Sequence, residues 1–288
     1  MKLVTLDYVL KKAVRGGYAI GAFNFFTLEN LIGIASAAAK TDSPVIAMAS
    51  TGAMKVMGER AVVGMCRGVA EDYGAEMVLH LDHATDYDMI RRCIDNGFTS
   101  VMIDASMKSY EENVDVTARV VEYASRYGVS VEAELGHVGG KEDDISVDER
   151  EALFTVPADA ERFVKATGID ALAVAVGTVH GFYKSEPKLD FDRIQKIHDL
   201  IPDMPLVLHG GTGVPDDDFR KGIQRGIRKI NVGTELKVHG VFDVSREKYS
   251  TETSGDPRKV STAVIAACAQ IVENKIAVMG SEGKADRR

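Results

Sequence analysis

The sequence predicts an α/β protein, a closed (β/α)8 barrel of the TIM type with an extra N-terminal helix and a helical C-terminal extension, in a single domain over residues 1–288. Three observations predict it. Short apolar runs alternate with longer amphipathic ones from end to end, the pattern of repeated βα units around a parallel sheet. Eight such apolar runs occur, and their near-continuous apolarity fits strands covered on both faces. The length, 288 residues, suits one barrel, for which about 250 residues is usual.

In chain order, Thr5 to Gly16 reads as a helix ahead of the first strand, placed to plug the barrel floor. The strands are Tyr18 to Asn24, Pro44 to Ser50, Glu76 to Asp82, Ser100 to Asp104, Ser130 to Leu135, Ala171 to Val176, Pro205 to His209 and Lys229 to Val232. Between them lie helix patterns such as Leu28 to Lys40, Glu59 to Tyr73, Tyr110 to Tyr127, Ala158 to Thr167, Phe191 to Leu200 and Pro215 to Arg225. Several stop at a glycine suited to end a helix, among them Gly74, Gly97, Gly128, Gly168 and Gly226. The connection Gly136 to Val156 is long for a compact domain and carries Gly139-Gly140-Lys141-Glu142-Asp143-Asp144, which suggests a functional lid. After Thr234 the pattern stays helical to about Val278, and Gly280 to Arg288 reads as a mobile tail.

Hydrophobic residues at 45%, charged residues at 27% and seven prolines describe a globule with ample core. A formal net charge of −8 argues against a nucleic-acid or anionic-membrane surface, since both need a positive field. The N-terminus lacks a charged-then-apolar leader, and no uninterrupted apolar run reaches the ~18 residues of a spanning helix. A cytoplasmic protein is the expectation. Cys66, Cys93 and Cys268 are scattered and odd in number, so they read as free buried thiols.

Three apolar runs end in a histidine: Leu79-His80-Leu81-Asp82-His83-Ala84, Ala171 through Val176 to Gly177-Thr178-Val179-His180-Gly181, and Pro205-Leu206-Val207-Leu208-His209-Gly210-Gly211. Active groups of barrels stand at the C-terminal ends of strands, on one face. His83, His180 and His209 therefore form a candidate metal site, three imidazoles with an open position being a catalytic zinc pattern. His80 points with alternate residues of its strand into the barrel, as a hydrogen-bonded group behind the ligands. His198 and His239 fall in helices and read as surface residues, and His137 is unassigned. Neighbours along a strand point to opposite faces, so Asp82 does not share the metal of His83 and is left as a general acid or base. Asp104 and Glu134 end the fourth and fifth strands; they either hold a second cation, position the first, or are structural hydrogen-bonding groups.

A second constellation suits an anionic group. Gly210-Gly211-Thr212-Gly213 follows the seventh strand and Asn231-Val232-Gly233-Thr234 the eighth, the two places where barrels often hold phosphate. Backbone N–H groups, threonine hydroxyls and helix N-termini donate there without any net positive charge. A divalent metal beside a phosphate clamp and an unligated carboxylate suits a phosphorylated carbonyl compound whose enediolate must be stabilised.

Ala22-Phe23-Asn24, Ser43-Pro44-Val45-Ile46, His80-Leu81-Asp82-His83, Glu132-Ala133-Glu134-Leu135-Gly136, Gly139-Gly140-Lys141-Glu142-Asp143, Gly177-Thr178-Val179-His180-Gly181, His209-Gly210-Gly211-Thr212-Gly213 and Asn231-Val232-Gly233-Thr234-Glu235 together resemble the class II, metal-dependent fructose- and tagatose-bisphosphate aldolases, over nearly the whole chain. The resemblance implies a catalytic zinc on His83, His180 and His209, with Asp104 and Glu134 at a second or alternative divalent position. It implies that Asp82 exchanges a proton with the aldehyde-side hydroxyl of the ketose and that Glu142 exchanges the proton of dihydroxyacetone phosphate. Gly181, Gly210, Gly211, Thr212, Asn231, Val232, Gly233 and Thr234 match the triose-phosphate site, and Asn24 and Ser50 match further active-site positions. The implied activity is reversible cleavage of fructose or tagatose 1,6-bisphosphate to dihydroxyacetone phosphate and glyceraldehyde 3-phosphate, in a homodimer or homotetramer. Ala84 stands where glycine commonly follows Asp-His, and the tail Gly280-Ser281-Glu282-Gly283-Lys284 differs from family endings that carry an arginine toward the far phosphate. Both departures bear on the aldehyde partner, which leaves a related phosphorylated or sulfonated sugar as an alternative substrate. A non-catalytic partner subunit is the remaining alternative; it predicts loss of ligand or acid residues, and all are present.

Overall fold

The computed structural model describes residues 3–142, 145–147, 153–183 and 187–286, with the side chains of 141, 142 and 145–147 left aside. The chain opens with α1 (Leu6–Gly16), capped by the Thr5 hydroxyl, and enters β1 (Ile20–Asn24). Next come α2 (Leu28–Thr41), β2 (Val45–Ser50), α3 (Thr51–Met57), α4 (Glu59–Tyr73), β3 (Met77–Ala84), α5 (Tyr87–Asn96) and β4 (Ser100–Ile103). The middle of the chain holds α6 (Tyr110–Ser125), β5 (Ser130–Leu135), β6 (Gly139–Glu142), β7 (Ile145–Val147), α7 (Pro157–Thr167), β8 (Ala171–Val174) and β9 (Val179–His180). It ends with α8 (Phe191–Leu200), β10 (Leu206–Leu208), α9 (Asp216–Gln224), β11 (Ile227–Val232), a π-helical stretch Leu236–Phe242, α10 (Asp243–Thr251) and α11 (Pro257–Met279).

Eight strands close into a parallel barrel in the order β1-β11-β10-β8-β5-β4-β3-β2. The predicted architecture is therefore the observed one, with the strands within a few residues of their expected positions. Helix α3 is additional, and α5 is the helix that the stop at Gly97 implies.

The interior changes character from floor to mouth. Leu6, Val9, Leu10 and Ala13 of α1 pack with Ile20, Ala22, Ile46, Met48, Val78, Ala171, Ala173 and Val207, the inward positions of the lower barrel. This is the expected plug, and burying that apolar face is what holds α1 in place. On the same strand phase, nearer the C-terminal ends, stand Asn24, Ser50, Asp82, Glu134, His209 and Asn231, all buried. The strands are thus not apolar on both faces throughout: outward residues pack against helices, and inward ones turn polar toward the mouth.

Two expectations about the C-terminal part need correction. The chain is not continuously helical after Thr234, because residues 252–256 separate α10 from α11. The tail is not loose: Ser281 is buried with its hydroxyl 2.8 Å from that of Ser43, and the backbone N–H groups of Gly283 and Ala285 donate to Thr41 and Asp42 carbonyls. Helix α11 passes a test of length and mean composition for crossing a membrane, although its apolar run is interrupted by Gln270, Glu273, Asn274 and Lys275. It packs instead along α2, with Val260, Val264, Cys268, Val272, Ile276 and Met279 buried at helical spacing and Asn30 Nδ2 3.6 Å from Cys268 Sγ. The connection after β5 carries strands of its own. Strands β6 and β7 form an antiparallel hairpin, and β6 pairs in parallel with β9.

Cys66, Cys93 and Cys268 are free and buried, as expected. Burial pushes the Cys93 thiol up to about 12 and the Cys268 thiol up to about 11, so neither is a nucleophile at neutral pH. His239 is exposed, but His198 is only half-exposed, its ring lying against Gly226.

Candidate active site

The three predicted histidines converge at the barrel mouth from β3, β9 and the end of β10. Ring centroids of His83 and His209 lie 4.5 Å apart, those of His83 and His180 4.9 Å, and those of His180 and His209 5.9 Å. One ring nitrogen from each falls within 4.8 Å of the others, the spacing a single cation needs. His83, Asp104 and Glu134 form a second such group.

Strand alternation alone would have separated Asp82 from His83, and the local backbone shows why it does not. The β3–β4 register shifts between Leu81 and Ala84, and His83 takes a left-handed φ of 49°. Such a conformation is costly for a non-glycine residue and tends to persist where surrounding structure enforces it. It turns His83 toward the other imidazoles while Asp82 keeps its inward position, fully buried, with Oδ2 accepting from Asn24 Nδ2 at 2.8 Å.

His180 sits outside the barrel strands and is held by its neighbours' backbone. Gly140 in β6 has φ 102°, and a Cβ there would lie 2.4 Å from the His180 carbonyl oxygen. Gly210 has φ 67°, and a Cβ there would lie 2.3 Å from the Val179 carbonyl oxygen. Only glycine permits both approaches. Tyr183 completes the clamp, its phenol accepting from the Val179 N–H at 3.2 Å and donating to the Gly210 carbonyl at 2.8 Å.

Each ligand candidate is oriented from behind. Asp104 Oδ2 lies 2.8 Å from His83 Nδ1, so a cation shared with the other imidazoles would take Nε2. Burial works against the Asp104 charge, but the hydrogen bond and charge of His83, with Ser106, hold its carboxyl well below the usual carboxylate range. His209 Nε2 lies 2.9 Å from Glu132 Oε1. Burial opposes charge on Glu132 as well, yet the Lys229 ammonium and the His209 hydrogen bond outweigh it and hold the carboxyl low. An ionised carboxylate only accepts, so His209 Nε2 carries the proton and Nδ1 a lone pair. That Nδ1 faces Glu134 Oε2 at 3.4 Å, and neither atom has a hydrogen-bond partner among the described residues. Two buried acceptors facing each other are what a missing cation would leave, and the donor set suits zinc. Without one, burial and then the Asp104 charge push Glu134 up to about 8.

Beside the histidines opens a pocket lined by Asn24, Ser50, Gly181, Gly210, Gly211, Thr212, Asn231, Gly233 and Thr234, together with His180, Phe26 and Lys237. Nine of the ten residues assigned to substrate from the sequence are thus in one place. Val232 is the exception: its side chain is fully buried in the outer core, on the strand face opposite Asn231. Glu142 ends β6, and its side chain lies outside the described residues.

Lys237, Glu132 and Lys229 were not singled out from the sequence. Lys237, the one cation among the pocket's described lining residues, lies 5.6 Å over the Phe26 ring. It could have been found one helical turn beyond Gly233. Glu132 and Lys229 carried a plainer signal, being charged residues inside strands and in phase with Glu134 and Asn231.

The profile of the fructose-bisphosphate aldolase class-II family matches residues 4–284. The chain belongs to this family. A fructose-bisphosphate aldolase from Geobacillus stearothermophilus is 46% identical over 288 residues, covering 99% of both chains. The crystal structure of the YdjI aldolase from Escherichia coli K12 superposes with a TM-score of 0.87 at 33% identity, covering 99% of this chain and 100% of that one. The fructose-bisphosphate aldolase of Campylobacter jejuni, at 22% identity and a TM-score of 0.82 over 98% and 97% of the two chains, shares the fold. As a class II aldolase the chain is a metal-dependent lyase, and the convergent histidines are one of two described groups that could hold a metal ion.

Proposed function

We propose that this class II aldolase reversibly cleaves a ketose 1,6-bisphosphate, fructose or its C4 epimer tagatose, to dihydroxyacetone phosphate and glyceraldehyde 3-phosphate, using zinc on His83, His180 and His209. The observation that carries the reading is the hydrogen bond that ties the buried Asp82 carboxylate to Asn24, which lines the same pocket as His180. The relative at 46% identity bears the fructose-bisphosphate name, which supports that epimer.

When bound, zinc would supply Lewis acidity toward the ketose carbonyl and the negative charge that develops there. The protein does the rest. Asp82, held by Asn24, takes the proton of the C4 hydroxyl as the C3–C4 bond breaks and returns it in the condensation direction. Glu142, on the hairpin docked to His180, exchanges the proton of the departing triose phosphate. Gly210, Gly211, Thr212, Gly233 and Thr234 offer backbone and hydroxyl donors to one phosphate. Lys237, on the wall of the same pocket, offers a cation to a substrate phosphate. Asp104 and Glu134 form the alternative divalent position with His83.

The deciding experiment is steady-state cleavage of the two C4-epimeric bisphosphates side by side, with and without a chelator. Triose phosphate should appear from at least one, cease on chelation and return with zinc. Chelator-insensitive cleavage, or none from either ketose, would reject the proposal.

A further inference from the structure

Beneath the histidines, inside the barrel, lies an ammonium that the aldol chemistry does not use. Lys229 is 0% exposed. Its Nζ lies 2.9 Å from Glu132 Oε2 and 3.2 Å from Oε1, and 2.7 Å from Asn231 Oδ1. Glu132 in turn holds His209 Nε2, and Asn231 lines the pocket. His80 borders the group, its Nε2 3.8 Å from Glu132 Oε2 and its Nδ1 2.7 Å from the Ser100 hydroxyl.

We propose that Lys229 is a positioning residue that joins the metal cluster to the triose-phosphate pocket, fixing the tautomer of His209 through Glu132 and the amide orientation of Asn231 directly. The first link follows from charge. A buried carboxylate persists as an anion only with a partner, and Lys229 is that partner. As an anion Glu132 must accept from Nε2–H, which commits His209 Nδ1 to coordination. The second link follows from donor inventory. An ammonium has three donors and no acceptor, so it faces Asn231 Oδ1 and leaves the amide N–H2 as the end that can serve the pocket. Both links use one rigid strand, since Lys229 and Asn231 are two apart in β11 and share its inward face. Stability alone is a poor account of such a group, because a buried ion pair is rarely better than apolar packing of similar volume.

The proposal rests on the reading of His209 as a metal ligand and of Asn231 as a triose-phosphate contact, and its test separates the two levels. Zinc affinity of the chelator-stripped full-length protein is measured by competition with a chromophoric chelator. Dihydroxyacetone phosphate affinity is then measured at saturating zinc. Lys229→Met should weaken zinc by about 10- to 100-fold, the range for lost partners behind metal ligands. It should also weaken dihydroxyacetone phosphate by about tenfold or more, as expected for an amide donor no longer held in place. The double variant Lys229→Met with Glu132→Gln buries no unpaired charge and keeps an acceptor for His209 Nε2–H. It should recover zinc affinity to within about threefold of wild type while dihydroxyacetone phosphate stays weak, a split that simple loss of packing would not produce. If the single variant does not fold, the double variant carries the test. Wild-type affinities in Lys229→Met, or a double variant that regains both ligands or neither, overturn the bridge. A wild-type protein that binds no zinc overturns the metal site itself, and the bridge with it.

Discussion

The side-chain amide of Asn24 donates to the carboxylate of Asp82 at 2.8 Å, linking the end of β1 to the bulged end of β3 across β2. Asn24 lines the pocket and Asp82 is fully buried behind it. The bond therefore aims a carboxylate, rather than merely satisfying one. Asp82→Ala should retain zinc and lose kcat by about 10²- to 10⁴-fold, the worth of a positioned acid or base. Asn24→Ala should lose less, because the carboxylate remains. Turnover and bound zinc per chain, measured together, check this; wild-type turnover in Asp82→Ala would remove the role.

Truncating a ligand should have the opposite signature. His209→Ala takes away Nδ1 from the cluster and also strips Glu132 of its hydrogen-bonded imidazole, leaving a buried anion with Lys229 as its close partner. Zinc should be lost with activity, and excess zinc should restore little of either. The wild-type protein stripped by chelator should instead regain activity on adding zinc back, because its three imidazoles are preformed. Full zinc content in His209→Ala by elemental analysis would exclude this histidine as a ligand.

The architecture was legible in the sequence because parallel barrel strands announce themselves as short apolar runs, and their ends mark the functional face. His83, His180 and His209 were found in that way. What escaped was set by contacts that no local pattern encodes. The bulge at His83 breaks the period of two on which the separation of Asp82 and His83 was argued. The hairpin of β6 and β7 is fixed by pairing with β9 about forty residues away, so the glycine-rich sequence did not show its strands. The tail looked mobile from its composition, yet it is anchored by Thr41, Asp42 and Ser43 at the far side of the sequence. Lys229 and Glu132 were passed over because a charge in a strand looks out of place until its partner is known.

The metal-free protein should be most stable near pH 6.5. Burial drives the His80 imidazole down to about 3 and the His209 imidazole down to about 4, against about 6.5 in an unfolded chain. Depressed bases contribute stability that is present above the unfolded value and lost as pH falls toward the folded ones, because the unfolded chain takes up protons that the native one refuses. Glu134 acts on the other side. Burial raises it to about 8 in the absence of a cation, so its contribution is complete below the unfolded value of about 4.5 and lost as pH rises through about 8. Between these values two histidines outweigh one glutamate, and stability climbs until about pH 6.5. Thermal unfolding midpoints of chelated protein across pH 4 to 9 check the shape. A midpoint unchanged between pH 7 and 4.5 would contradict the neutral buried histidines, and zinc should flatten the alkaline limb by holding Glu134 ionised.

Gly140 offers a test of the site that touches none of its chemistry. Its φ of 102° is one that side chains rarely adopt, and an added methyl would stand 2.4 Å from the His180 carbonyl oxygen and 2.7 Å from the His180 amide nitrogen. Those atoms are backbone and cannot swing aside, so Gly140→Ala must push β6 off β9 or move His180 itself. The barrel does not depend on this pairing, since β6, β7 and β9 form a separate sheet. The global unfolding midpoint of the metal-free protein should therefore change little. Zinc affinity should fall by about tenfold or more, as it does when a ligand's support is lost. Equal zinc affinity in Gly140→Ala and wild type would show that His180 reaches the cation without the hairpin holding it.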